Sequence, residues 1–162
     1  MPAGIYAGNV TTYNRVVTAT MSLDTSAYAN ADLLADTQAI DGVFRISDGT
    51  GIIRSLVVID EDDQTLYTFS VYFLDGSGSL GTENAAPSAT DAVCRTILAR
   101  VDFATTDGVD VGGSKVYSKH GLSIPVSAIS GTDDLGLAMV VITGTPTHTA
   151  AGVRVRIGIT QD

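Results

Sequence analysis

Four acidic residues in succession, Asp60-Glu61-Asp62-Asp63, are the densest group of metal-ligating side chains in the chain. Clustered carboxylates suit a hard cation such as Ca²⁺. An EF-hand loop, however, needs Gly at its sixth position and Glu at its twelfth, and counting from Asp60 these are Thr65 and Val71. The cluster therefore reads as a solvated hairpin tip. Gly76-Ser77-Gly78-Ser79-Leu80-Gly81 matches the spacing of a dinucleotide-binding turn, whose chemistry requires a helix to begin there so that its N-terminus faces the pyrophosphate. The residues that follow, Thr82 to Pro87, have no helical periodicity, so the stretch reads as a flexible loop.

The two histidines, His120 and His148, stand far apart in polar segments and cannot supply the clustered His/Glu set of a jelly-roll metalloenzyme. No G-x-S-x-G elbow is present, and no Ser–His–Asp set is singled out by position. Cys94, the single cysteine, falls in an apolar stretch and reads as a packed thiol. Pairs such as Asp133-Asp134 fall in turns, where Asp bonds its own backbone. The chain thus offers no expected catalytic, cofactor-binding or metal-binding residue. Arginine is the exception. Seven of the nine basic residues are Arg, the better residue for bidentate pairing at interfaces. Arg154 and Arg156 share one face of the last apolar run. They are the leading interface candidates, as contacts for acidic groups of a neighbouring subunit.

The elements that position these residues follow from composition and periodicity. Of 18 acidic residues 16 are Asp, and Val, Ile and Thr number 17, 12 and 20, with 17 Gly, so strands and turns are favoured over helices. A net charge of −9 excludes nucleic acid as partner. The longest apolar stretch, Leu135–Ile142, is too short for the ~20 residues of a membrane-spanning helix. The N-terminus has no basic start and no apolar run, which predicts a chain without a leader, made in the cytoplasm.

Residues 1–14 read as an extended arm and 15–162 as a single domain. Strands are expected at Arg15–Met21, in a short segment before Ile40, and at Val43, Phe44 and Ile46. Ile52–Ile59 and Leu66–Leu74 follow as a hairpin around the acidic tip. In the first of these, Ile53, Val57 and Ile59 are expected on one face and Ile52, Leu56 and Val58 on the other. Both runs are apolar on both faces, as for central strands covered from two sides or by a neighbouring subunit. After the loop 75–89, Thr90 caps a short helix with Ala92, Val93, Thr96, Ile97 and Arg100 in helical spacing. Further strands are expected near Ala99–Phe103, Lys115–Lys119, Leu122–Ala128, Leu135–Thr143 and Val153–Thr160. The pattern predicts an all-β fold: a two-sheet antiparallel sandwich of jelly-roll type with one short helix.

Several segments carry a family likeness. Ser26-Ala27-Tyr28-Ala29-Asn30-Ala31-Asp32-Leu33-Leu34 resembles a stretch near the start of small virion proteins of tailed bacteriophages. Gly51–Val58, Tyr72-Phe73-Leu74-Asp75, Gly144-Thr145-Pro146-Thr147 and Val153–Asp162 resemble the segments that follow it. The resemblance, from about Ser22 to Asp162, is to capsid decoration or cement (auxiliary head) proteins. It implies a non-enzymatic role on the virion, with the major capsid protein as partner and no cofactor or active site. Homo-oligomerisation as a dimer or trimer is expected, with neither membrane nor nucleic acid as partner. The arm, with Ile5 and Tyr6, is the second interface candidate. The alternative is a head-fibre or tail-associated module binding host-surface glycans, for which Tyr28 and Tyr117 would have to form an exposed aromatic platform.

Overall fold

Alternating apolar and polar residues from Val153 to Thr160 suit a strand with one face in a core, because successive side chains point to opposite faces. The computed structural model, which describes residues 12–161, places them so. Val153, Val155, Ile157 and Ile159 are at most 2% exposed, whereas Arg154 and Arg156 face solvent.

Among the described residues the strands are β1 (Tyr13–Met21), β2 (Leu33–Ile40), β3 (Thr50–Asp60), β4 (Thr68–Leu74), β5 (Ile97–Phe103), β6 (Gly108–Asp110), β7 (Lys115–Ser127), β8 (Leu135–Thr143) and β9 (Val153–Gln161). One helical turn, α1 (Asp91–Cys94), and a 3₁₀ turn, Thr105–Asp107, interrupt them. Two antiparallel sheets form, ordered β1-β9-β3-β7-β6 and β2-β8-β4-β5. Eight strands alternating between two four-stranded sheets in this order are a jelly roll, with β6 added at the edge beside β7. The fold is the one expected from the sequence.

The expected hairpin does not form. β3 lies between β7 and β9, whereas β4 lies between β5 and β8 in the other sheet. Placed in different sheets, each strand gains a hydrogen-bonded neighbour on both edges. The connection Glu61–Tyr67 is long enough to cross the roughly 10 Å between packed sheets and make each of them central. Within β3 the register moves from Ile53↔Ile159 to Ser55↔Gly158, so Arg54 is the extra residue of a β-bulge. The bulge reverses the expected faces beyond it. Ile53, Leu56 and Val58 point into the core, and Ile52, Val57 and Ile59 point outward.

Three other expectations change. Val43, Phe44 and Ile46 form no strand: Gln161 donates its side-chain amide to Val43 O at 2.7 Å and accepts from Arg45 N at 2.9 Å, meeting the backbone groups a strand partner would have met. Val43 and Phe44 nonetheless plug the core, while Ile46 is exposed. The helix capped by Thr90 ends at Cys94, because the Thr96 hydroxyl donates to Val93 O and Ile97 already pairs with Leu74. Cys94 is exposed rather than packed. The two expected strands of residues 115–128 are one, β7.

The inner faces meet in an aromatic centre. Phe69 stacks on Phe103, with ring centroids 5.0 Å apart, and takes the edge of Tyr117 at 4.9 Å. The sheet containing β4 is apolar on its outer face too. There Leu33, Leu74 and Ala138 form a second cluster with Leu80, and Val93, Ala89 and Ile97 pack against it. The segment between β4 and β5 is therefore a cover and not a loose loop. Leu80 N donates to Asp36 Oδ1 at 2.7 Å, and Leu33 exchanges backbone bonds with Asn84 and Ala85. At Gly136 an added Cβ would lie 2.6 Å from Gly76 O, so only glycine lets the cover approach β8 this closely.

Leu80→Ala removes the anchor of this cover. It is expected to lower the free energy of unfolding by about 2–5 kcal/mol, as measured by chemical denaturation.

Candidate functional site

The outer face of the five-stranded sheet has no such cover among the described residues. In register across it lie Val16 and Thr18 of β1, Gly158, Arg156 and Arg154 of β9, Ile52, Ser55, Val57 and Ile59 of β3, Ser118 and Val116 of β7, and Val109 of β6. Val16 and Val109 are 58% and 61% exposed, and Ile52, Val57, Ile59 and Val116 are half-buried. Depressions of about 580 and 340 Å³ adjoin it at one end and share Arg54 and Thr160.

The cations of the chain fall into two groups. Four basic residues are neutralised by acidic neighbours: Arg100 by Asp102 at 2.6 Å, Lys115 by Asp63 and by Asp110 at 2.8 Å, Lys119 by Asp107 at 2.9 Å, and Arg154 by Glu61 at 2.6 Å. These pairings hold the carboxyls of Asp102, Asp107 and Asp110 below the ordinary value. Arg15, Arg45, Arg54, Arg95 and Arg156 have no ion-pair partner among the described residues, and of these Arg156 and Arg54 belong to this face. Arg156 stands in register between Thr18 and Val57, and Arg54 and Arg15 line the same depression beside Gly158. In a chain of charge −9, Arg156 and Arg54 are unpaired cations on an uncovered, partly apolar face, whereas Arg15, opposite Ile159, has the parity of the inner face and lies at its edge.

The two arginines expected at an interface thus differ: Arg154 is paired with Glu61, and Arg156 has no ion-pair partner among the described residues. Arg54 escaped sequence reading because its outward position depends on the bulge. The break in alternation, polar Arg54-Ser55 between Ile53 and Leu56, is the signal that could have found it. Ile5 and Tyr6 lie outside the described residues, as does most of the arm; Tyr13 and Asn14 open β1. Tyr28 and Tyr117, expected as exposed, are 1% and 0% exposed, so they form no glycan-binding platform. The Tyr28 hydroxyl donates to backbone carbonyls of the chain, and the Tyr117 hydroxyl accepts from Tyr67 N.

A second group lies where the β3–β4 crossing meets the β8–β9 connection. Asp60, expected in a solvated tip, is 0% exposed. His148, expected in a polar loop, is 2% exposed. Asp60 accepts from Asp62 N and Gln64 N, curling the crossing back on itself. Asp62 accepts from Thr149 N at 2.8 Å and from the Thr149 hydroxyl. His148 Nε2 faces the Tyr67 hydroxyl at 3.1 Å. Burial pushes the Asp60 carboxyl above its ordinary value, against the pull of His148 and of the backbone donors. Burial likewise raises the Tyr67 hydroxyl well above its usual range, so it stays protonated. Asp60, Asp62 and His148 are the described residues able to hold a metal together.

No protein-family model and no curated protein matches the chain. Among solved structures, infectious bursal disease virus VP2, from a subviral particle, is similar with a TM-score of 0.41 and 12% identity over 92% of this chain, which spans only 32% of that one. Tobacco streak virus coat protein, from a structure of its dimer, is similar with a TM-score of 0.31 and 13% identity, over 90% of this chain and 85% of its own. A further crystal form of that coat protein gives a TM-score of 0.30 and 14% identity, over 90% and 86% of the two chains. These neighbours are viral capsid proteins; the jelly roll itself rests on the strand order.

Asp102, whose carboxyl is held down first by its bond to Arg100, stabilises the fold above the ordinary carboxylate range, and that contribution is lost as pH falls through its folded-state value. The pair is half-exposed, so Asp102→Asn is expected to cost no more than about 1 kcal/mol at pH 6. The difference from wild type should shrink as pH falls below about 4, read from denaturation midpoints across that range.

Proposed function

We propose that this chain is a non-enzymatic structural protein of a tailed-bacteriophage virion, a decoration or cement protein that docks on the outer capsid lattice. The carrying observation is the uncovered sheet face with its unpaired arginines, Arg156 above all. The likeness of Ser26–Leu34 and the later segments to auxiliary head proteins supports the same reading.

The physical logic is charge and area together. Val16, Val57, Ile59, Val116 and Val109 offer apolar surface for desolvation, and Arg156, Arg54 and Arg15 select an acidic partner surface. The occupant assigned to this face is the major capsid protein, whose surface would present acidic groups to Arg156 and Arg54. Self-association into a dimer or trimer belongs to the proposal and uses other surfaces. Many copies on one shell reinforce one another, so each contact can be modest. Binding only the assembled lattice stabilises that state by mass action. The arm, with Ile5 and Tyr6, is assigned a second contact on the capsid.

Co-sedimentation with expanded capsids lacking the protein tests this. Saturable binding is expected, weakened at least about tenfold by Arg156→Glu and steeply dependent on salt. Removal of residues 1–11 should weaken it further. Absence of binding to such capsids, or full affinity in the double variant Arg54→Glu/Arg156→Glu, contradicts the proposal.

A further inference from the structure

The Asp60–Asp62–His148 group has a feature that hydrogen bonding within the chain leaves unexplained. His148 has a side chain 0% exposed, and its Nδ1 has no hydrogen-bond partner. That atom is aimed between two carboxylates, 3.6 Å from Asp60 Oδ1 and 3.4 Å from Asp62 Oδ2. A buried polar atom without a partner is costly and uncommon. When Nε2 carries the imidazole proton and donates it to the Tyr67 oxygen, Nδ1 turns a lone pair toward the two carboxylates. Asp60, buried, and Asp62, partly buried, have no Lys or Arg pairing with them among the described residues. Lys115, across the strand from Asp60, gives its amine to Asp63 and Asp110 instead.

We propose that Asp60 Oδ1, Asp62 Oδ2 and His148 Nδ1 form a Zn²⁺ site that clamps the β3–β4 crossing to the β8–β9 connection. Ligand atoms on a tetrahedral zinc, bonded at about 2.0–2.2 Å, stand roughly 3.3–3.6 Å apart. The two nitrogen-to-oxygen separations match that spacing, and the three donor atoms lie within 4.8 Å of one another. One imidazole with only two carboxylates favours zinc over calcium, which takes six to eight oxygens. The outer shell is in place: Tyr67 orients the imidazole, the Asp62 N–H and Gln64 N–H hold Asp60, and Thr149 holds Asp62. Gly152 completes the cradle, since a Cβ there would fall 1.6 Å from Asp62 Oδ2. Asp62 is 17% exposed, which leaves a path for the ion and for a water as fourth ligand.

The full chain, stripped with a chelator, is titrated with ZnCl₂ by calorimetry at neutral pH and, separately, with Co²⁺ by visible absorption. Saturable uptake of one Zn²⁺ per chain is expected, with a tetrahedral Co²⁺ spectrum and a melting temperature that falls on chelation. Asp62→Asn, whose amide oxygen still accepts from Thr149, should lose at least about a hundredfold in affinity. Tyr67→Phe, which keeps the ring and removes only the outer-shell bond, should lose about 10–100-fold. Three results would overturn the site: no saturable uptake, wild-type affinity in Asp62→Asn, or an imidazole of His148 protonated on both nitrogens at neutral pH in the presence of Zn²⁺, seen by nitrogen NMR.

Discussion

A sandwich of two sheets has four faces and buries only two of them against each other, so strands apolar on both sides need a second cover. This constraint governs the molecule. β4 and β8 carry Leu74 and Ala138 on the outside, and the chain covers them with its own residues 75–96 through Leu80 and Val93. The opposite sheet, whose central β3 turns Ile52, Val57 and Ile59 outward, receives no cover from the described residues. One face is closed within the chain, and the other is left open by the described residues.

Charge follows the same division. Lys115, Lys119 and Arg100 are pinned by aspartates at turns and strand edges, and Arg154 by Glu61. Arg156 and Arg54 sit on the open face with no such partner among the described residues, and Arg15 lies beside it. The acidic run 60–63 divides in turn. Asp60 turns inward with His148, Asp62 joins Thr149 at the rim, and Asp63 reaches Lys115. With Glu61 on Arg154, the four neighbouring carboxylates have four different partners.

Much of the fold was legible along the chain. Strict alternation in β9, the apolar run of β8 and the Thr90 cap each appear where their residue types require them, because they depend on neighbours within a few positions. The open face was half legible: Arg154 and Arg156 share a side of one strand, but Arg154's engagement with Glu61 lies 93 residues away in sequence. Arg54 was hidden by a bulge that shows only as a break in alternation. The inward turn of Asp60 and the burial of Tyr28, Tyr117 and His148 were not legible, since polar and amphipathic side chains carry no signal of which loop will close over them.

The sequence by itself determined the class of the protein: aspartate, glycine and β-branched residues in alternating runs can bury themselves only as a strand-and-turn sandwich. The tertiary structure decided which strands are neighbours. Periodicity states which face of a strand is buried but not against what, and the pairing of β3 with β7 and β9 rather than with β4 is set by long-range packing. That choice left one sheet face open around Arg156. It also carried Asp60 and Asp62 across the end of the core to His148, where burial raises the Asp60 carboxyl above its ordinary value.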